Sequence, residues 1–108
     1  MINFFQREKQ AVLISNSGRE YIINPNIVNK IGRSPSEDIR IIIEDDLKVS
    51  RQHSEITCEK ETKTYYIENL STKHGTYVNG NKIEDKVALK SGDIITMGNY
   101  TRFTFEIR

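Results

Sequence analysis

Apolar residues in this chain fall into short runs separated by turn residues. The runs are Ala11-Val-Leu-Ile14, Tyr21-Ile-Ile23, Ile39-Arg-Ile-Ile-Ile43, His53-Ser-Glu-Ile-Thr-Cys58, Thr64-Tyr-Tyr-Ile-Glu68, Gly75-Thr-Tyr-Val78, Asp93-Ile-Ile-Thr-Met97 and Arg102-Phe-Thr-Phe-Glu-Ile107. They seldom repeat at three and four, and isoleucine is frequent while alanine is nearly absent, which favours strands over helices. The last run is the clearest. Phe103, Phe105 and Ile107 alternate with Arg102, Thr104, Glu106 and Arg108, so a period of two turns the apolar side chains inward and the polar ones to water. Ile56 and Cys58 repeat the pattern more weakly against Glu55, Thr57 and Glu59. Cys58 reads as a small core hydrophobe, and at least one of Tyr65 and Tyr66 is expected in the core.

Residues that tolerate positive φ separate the runs at Asn16-Ser-Gly18, Asn79-Gly80, Ser91-Gly92 and Gly98-Asn99. Asn79-Gly80 after Tyr77-Val78 is a hairpin signal. Lys60-Glu-Thr-Lys63 reads as a solvated hairpin loop. The short intervals imply mainly antiparallel neighbours in an all-β sandwich with no helix longer than a loop turn.

At 108 residues the chain fits one domain and leaves no room for two cores. Sixteen basic against fifteen acidic side chains give a net charge of +1, so no whole-molecule field calls for nucleic acid or membrane, and anion recognition has to be local. One cysteine and two histidines assemble neither an internal disulfide nor a zinc site. The start of the chain lacks a signal-peptide core, and no run approaches the ~20 apolar residues of a membrane span. The expected setting is intracellular, cytoplasmic or nuclear.

Two loop segments carry chemistry. Residues 45–52 follow an apolar strand and hold hydroxyl and guanidinium groups, and Gly32-Arg33 sets a cation beside a flexible backbone point. Glu44-Asp-Asp46 reads as a solvated acidic turn, with a basic position on a ligand as its alternative. Hydrolysis has little support, because Ser50 and His53 lie three apart in a loop with no implied third group. Gly32-Arg-Ser-Pro lacks the spacing of a P-loop. Arg33, Ser50, Arg51, Lys73 and His74 form a better set: an arginine fork holds two phosphate oxygens, a serine donates its hydroxyl hydrogen, and a lysine adds mobile charge. Composition alone would leave each as a solvated surface residue.

A longer pattern joins them. Ile31-Gly-Arg33, Asp38-Ile39, Val49-Ser-Arg-Gln-His53, Ile56, Asn69-Leu70, Thr72-Lys-His-Gly-Thr-Tyr-Val-Asn-Gly80, Leu89, Ser91-Gly-Asp93, Ile95 and Gly98, in this order and spacing, resemble the forkhead-associated (FHA) domain family. The resemblance covers residues 10–108 and leaves 1–9 as an N-terminal extension or a lead-in to the first strand. It implies an all-β, two-sheet sandwich of about eleven strands with recognition loops at one edge. It implies no catalysis, no cofactor and no metal. The implied function is phosphothreonine-dependent binding of a protein or peptide in signalling or regulation, the ligand lying in another protein or in the same parent chain.

By the same likeness Arg33, Ser50, Arg51 and Lys73 would bind phosphate, and Lys73 and His74 would touch the peptide. Gly32, His53, Thr72, Gly75 and Asn79 would support them, with His53 hydrogen-bonded across the base of the loops. Two positions depart from the commonest family pattern: Thr72 replaces a serine, and His74 replaces an asparagine that pairs with the peptide backbone. The alternative function is a phosphorylation-independent interaction or oligomerisation domain that uses a sheet face bearing Tyr65, Tyr66 and Tyr77.

Overall fold

The computed structural model describes residues 9–33 and 39–108. Asp38 and all of the N-terminal extension except Lys9 lie outside the described residues. The strands are β1 (Ala11–Ser15), β2 (Glu20–Ile23), β3 (Asn29–Gly32), β4 (Ile39–Ile42), β5 (Ser54–Glu59), β6 (Thr64–Asn69), β7 (Thr76–Val78), β8 (Asn81–Lys82), β9 (Val87–Ala88), β10 (Ile94–Met97) and β11 (Thr101–Ile107). They form a six-stranded sheet in the order β2-β1-β11-β10-β7-β8 and a five-stranded sheet in the order β4-β3-β5-β6-β9. There is no helix among the described residues.

The alternation in β11 does what its period requires. Phe103 and Phe105 are fully buried, while Arg102 is exposed. Phe105 meets Tyr65 of the opposite sheet at 5.8 Å between ring centroids, and Phe103 meets Tyr21 edge-on at 6.0 Å. Leu13, Ile95 and Met97 from the first sheet and Ile31, Ile56 and Ile67 from the second complete the interior. Burial of this set is the main stabilising term, since removing a buried phenylalanine side chain typically costs about 3–5 kcal/mol. Tyr65 is core, while Tyr66 is only half-buried. Cys58 is likewise half-buried, packed at the margin of the core rather than inside it.

Pairing is antiparallel except for β3 and β4, which run parallel with a register shift between Lys30 and Ile31. The hairpin at Asn79-Gly80 forms as expected. Tyr77 pairs with Lys82 and Val78 with Asn81, and φ is +52° at Asn79 and +83° at Gly80, the two positive values a tight two-residue turn requires. Chain segments that leave the β3, β5 and β6 ends meet at one edge of the sandwich. The functional groups collect there.

Candidate functional site

Gly32 ends β3 where the backbone of the 45–52 loop passes over it. A Cβ at this position would lie 1.8 Å from the Arg51 carbonyl oxygen, so only glycine permits the approach. The approach is held by backbone hydrogen bonds: Arg33 N–H donates to the Ser50 carbonyl at 3.0 Å, and His53 N–H to the Ile31 carbonyl at 2.9 Å. Arg33 also donates through Nε to the Val49 carbonyl at 3.0 Å. That bond fixes the guanidinium plane, and both terminal nitrogens are without a partner among the described residues.

His53 is the hub beneath the loops. It is fully buried, and its Nδ1 accepts the Ser50 N–H at 2.9 Å. With Nδ1 an acceptor, the ring proton sits on Nε2 and is donated to the Gly75 carbonyl at 3.0 Å. Its own carbonyl receives Leu70 N–H and Ser71 N–H. One residue thus ties β3, the Ser50 loop and the β6–β7 loop together. Burial holds its pKa below the usual histidine value and outweighs the opposing bond to Gly75, so the imidazole is the neutral form the hydrogen bonds demand.

Sequence reasoning missed Ser71. Its Oγ lies 2.6 Å from Ser50 Oγ and accepts Lys73 N–H at 3.3 Å and His74 N–H at 3.0 Å. A hydroxyl oxygen has two lone pairs, and these two amides fill them. The Ser71 hydrogen therefore goes to Ser50 Oγ, and the Ser50 hydrogen is left free to donate to an anion. Thr72, expected to support the loop, is exposed, and its hydroxyl has no partner among the described residues. The supporting hydroxyl is its neighbour. Asn69 continues the brace, donating to the Ser71 carbonyl at 2.9 Å and accepting Thr76 Oγ1–H at 2.8 Å. Ser54 Oγ lies 2.7 Å from Thr76 Oγ1.

The acidic turn differs from expectation. Asp46 is fully buried, neither solvated nor facing a ligand. Its carboxylate accepts backbone N–H groups of Lys48, Asn99, Tyr100 and Thr101 and the Thr101 hydroxyl, at 2.8–3.2 Å. Burial alone would raise its pKa, but these bonds outweigh burial and hold it well below the carboxylate range. Gly98, at φ +69°, makes room: a Cβ there would lie 2.6 Å from Asp46 Oδ2. The loop is thus clamped to the β10–β11 turn, and buried Val49 anchors its other side.

Arg33, Ser50, Arg51, Thr72, Lys73 and His74 all line one open groove. Gly32, His53 and Gly75 lie beneath it, with Gly75 roofed by the stem of Lys82, whose Cε would be 2.9 Å from an added Cβ. Asn79 is at the far end of β7, where it accepts Ile94 N–H and donates to Asp93. It shapes that hairpin and does not reach the groove. Among the described residues the ion pairs are Arg108 with Glu20 and Arg108 with Glu106, and none of these acids pairs with a groove cation. No group of three or more His, Cys, Asp or Glu among the described residues is arranged to hold a metal ion.

Comparison with known proteins bears on the fold and the family. The chain is 32% identical over 90 residues to an uncharacterized protein of Schizosaccharomyces pombe, covering 74% of this chain and 30% of that protein. It is 37% identical over 65 residues to vacuolar protein sorting-associated protein 64 of Saccharomyces cerevisiae, covering 59% and 11%. It therefore spans less than a third of the length of either relative. A solved structure from work on phosphothreonine-dependent FHA domain interactions superposes with a TM-score of 0.78 at 27% identity, covering 92% of this chain and 97% of that one. The MEK1 FHA domain, solved with a HOP1 phosphothreonine peptide, superposes with a TM-score of 0.76 at 25% identity, covering 91% and 96%. Residues 29–98, which hold every groove residue, match the FHA domain, and the chain is a member of that non-catalytic, peptide-binding family.

Proposed function

We propose that this domain binds phosphothreonine segments of other proteins, or of its own parent chain, and that binding is its whole activity. The observation that carries the reading is that Arg33, Ser50, Arg51 and Lys73 line one groove, where the contacts of Ser71 assign the Ser50 hydroxyl hydrogen to a ligand. A phosphate brings about −1.5 to −2 charge and three acceptor oxygens. The two terminal nitrogens of Arg33 match two of them, the Ser50 hydroxyl matches the third, and Arg51 and Lys73 neutralise the remaining charge. His74 borders the peptide backbone. The phosphothreonine peptide bound by the MEK1 domain supports the same use of this fold.

The rival reading, phosphorylation-independent assembly through a tyrosine-bearing face, loses one of its three residues, because Tyr65 is core. Calorimetric titration with matched phosphothreonine, phosphoserine and unphosphorylated peptides tests the proposal. Phosphorylation should be required, and Arg33→Ala should weaken binding by about 2–5 kcal/mol with native circular dichroism. The threonine methyl should add about 0.8 kcal/mol, or roughly fourfold. Equal affinities for phosphorylated and unphosphorylated peptide would reject the function.

A further inference from the structure

One Asn-Gly pair occurs in the sequence, at Asn79-Gly80, and it forms the tip of the β7–β8 hairpin. The pair carries a chemistry of its own. An asparagine side-chain carbonyl carbon lies within reach of the next backbone nitrogen, and a following glycine, having no Cβ, lets that nitrogen swing onto it with the least crowding. Here the nitrogen is available. Gly80 is exposed, its N–H has no hydrogen-bond partner among the described residues, and an added Cβ would meet nothing within 4 Å.

The side chain of Asn79 is tied down instead. Its Nδ2 donates to Asp93 Oδ1 at 2.9 Å, and its Oδ1 accepts Ile94 N–H at 2.9 Å. Asp93 is itself held, because its Oδ2 accepts Lys90 N–H at 2.8 Å. The amide is thus kept toward the start of β10, and an attack by Gly80 needs it to leave both partners. What opposes that opening is local, since β8 is a two-residue strand at the edge of its sheet, and such tips open more easily than a core strand.

We propose that Asn79 is a site of spontaneous deamidation, and that its bonds to Asp93 and Ile94 hold the reaction back until the hairpin tip opens. The inference is independent of what the groove binds. In the first step Gly80 N bonds to Asn79 Cγ, the Cγ–Nδ2 bond breaks, and Nδ2 leaves as ammonia with the proton that Gly80 N gives up. Water then opens the cyclic imide at either carbonyl, leaving aspartate or isoaspartate at position 79. Neither product can resume the old contacts. Each has a carboxylate where Nδ2 faced Asp93, which sets like charges against each other, and isoaspartate also lengthens a turn whose two residues stand at φ +52° and +83°. Lys82 and Lys90 line the same hollow but are exposed, so pairing with them restores little. The modified hairpin is therefore looser than the one it came from.

The test is peptide mapping by mass spectrometry after incubation at neutral pH and body temperature, with the domain folded and with it unfolded in guanidinium chloride. In the unfolded chain Asn79 should be modified faster than any other asparagine. In the folded domain its rate should fall roughly ten- to a hundredfold, the protection expected of two hydrogen bonds of ordinary net strength. Asp93→Ala, shown by circular dichroism to be folded, should speed the reaction at Asn79 roughly three- to tenfold. The same variant should leave Asn16, in the β1–β2 turn, at its wild-type rate. Asn79→Asp, which places one product in the chain, should unfold at a lower urea concentration than wild type. An unfolded chain in which Asn79 reacts no faster than the other asparagines would overturn the site. Equal rates in folded and unfolded wild type, or an unchanged rate in folded Asp93→Ala, would overturn the guard, and the wild-type comparison decides this even where the variant does not fold. Complete protection up to global unfolding would overturn the local opening, and a wild-type urea midpoint for Asn79→Asp would overturn the looser product.

Discussion

Replacing Asp46 by asparagine should destabilise the domain and loosen its recognition loop without touching the groove. In the wild type one carboxylate serves five donors: the N–H groups of Lys48, Asn99, Tyr100 and Thr101, and the Thr101 hydroxyl. An asparagine has a single carbonyl oxygen able to take about two of them, and its amide hydrogens would face the rest. Hydrogen bonds to a charged group contribute about 1.5–3 kcal/mol each, and a stranded buried donor costs about 1–3 kcal/mol. Asn99 and Tyr100 are exposed and can turn to water, whereas Thr101 is buried. The net expectation is therefore a loss of about 2–4 kcal/mol at pH 7. That is a large part of an ordinary domain's stability, yet small enough to leave it folded.

The pH dependence is a second, independent signature of Asp46. Its folded pKa is depressed, so its stabilisation is fully present above the unfolded value of about 3.9 and is lost as pH falls toward the folded value. Urea unfolding of wild type and Asp46→Asn at pH 7 and at pH 3 reads both effects. The gap between the two proteins should be full at pH 7 and visibly smaller at pH 3. A gap under about 0.5 kcal/mol, or one that does not change with pH, would refute the clamp.

Three further outcomes are expected. Gly32→Ala should push the Arg51 carbonyl away, because the added Cβ would lie 1.8 Å from it; thermal melting should show a loss of roughly 2 kcal/mol or more, with phosphopeptide affinity falling alongside. Ser71→Ala strands the Lys73 and His74 amides and removes the hydrogen given to Ser50, so its effect on binding and that of Ser50→Ala should be less than additive in the double variant, as calorimetry would show. For His53, nitrogen NMR should find the Nε2–H tautomer, with more than half of the ring neutral at about pH 6.5. Its pKa is lowered by burial, so the stability it contributes is intact above about 6.5 and is lost as pH falls from there through the folded value; titration at or above the ordinary histidine value would contradict the hydrogen bonds assigned to it.

What was legible in the sequence follows the range of the interactions involved. The β11 strand is written in a period of two that needs no partner to be read, and the Asn79-Gly80 turn is written in its φ requirements. Two-residue strands such as β8 and β9 carry no period, and β3 opens on Asn29, a fully buried polar residue whose amide bonds three carbonyls. Arg33, Ser50, Arg51, Lys73 and His74 were found through the spacing of a family pattern, and the fold brings all five to one groove. Asp46 was misread because it sits among look-alike acids, and its burial depends on a turn more than fifty residues later in the chain. Ser71 and Thr72 are neighbours with the same chemistry; only backbone geometry decides which hydroxyl faces the Lys73 and His74 amides.

The most direct test of the central claim is a nitrogen–proton NMR titration of the domain with a phosphothreonine peptide and its unphosphorylated twin. Shifts should concentrate in the amides of residues 49–52 and 70–75 and in the Arg33 side chain. They should depend on the phosphate and vanish in Arg33→Ala. Equal shifts from the unphosphorylated peptide, or shifts confined to the face around Tyr66 and Tyr77, would contradict a phosphate site in this groove.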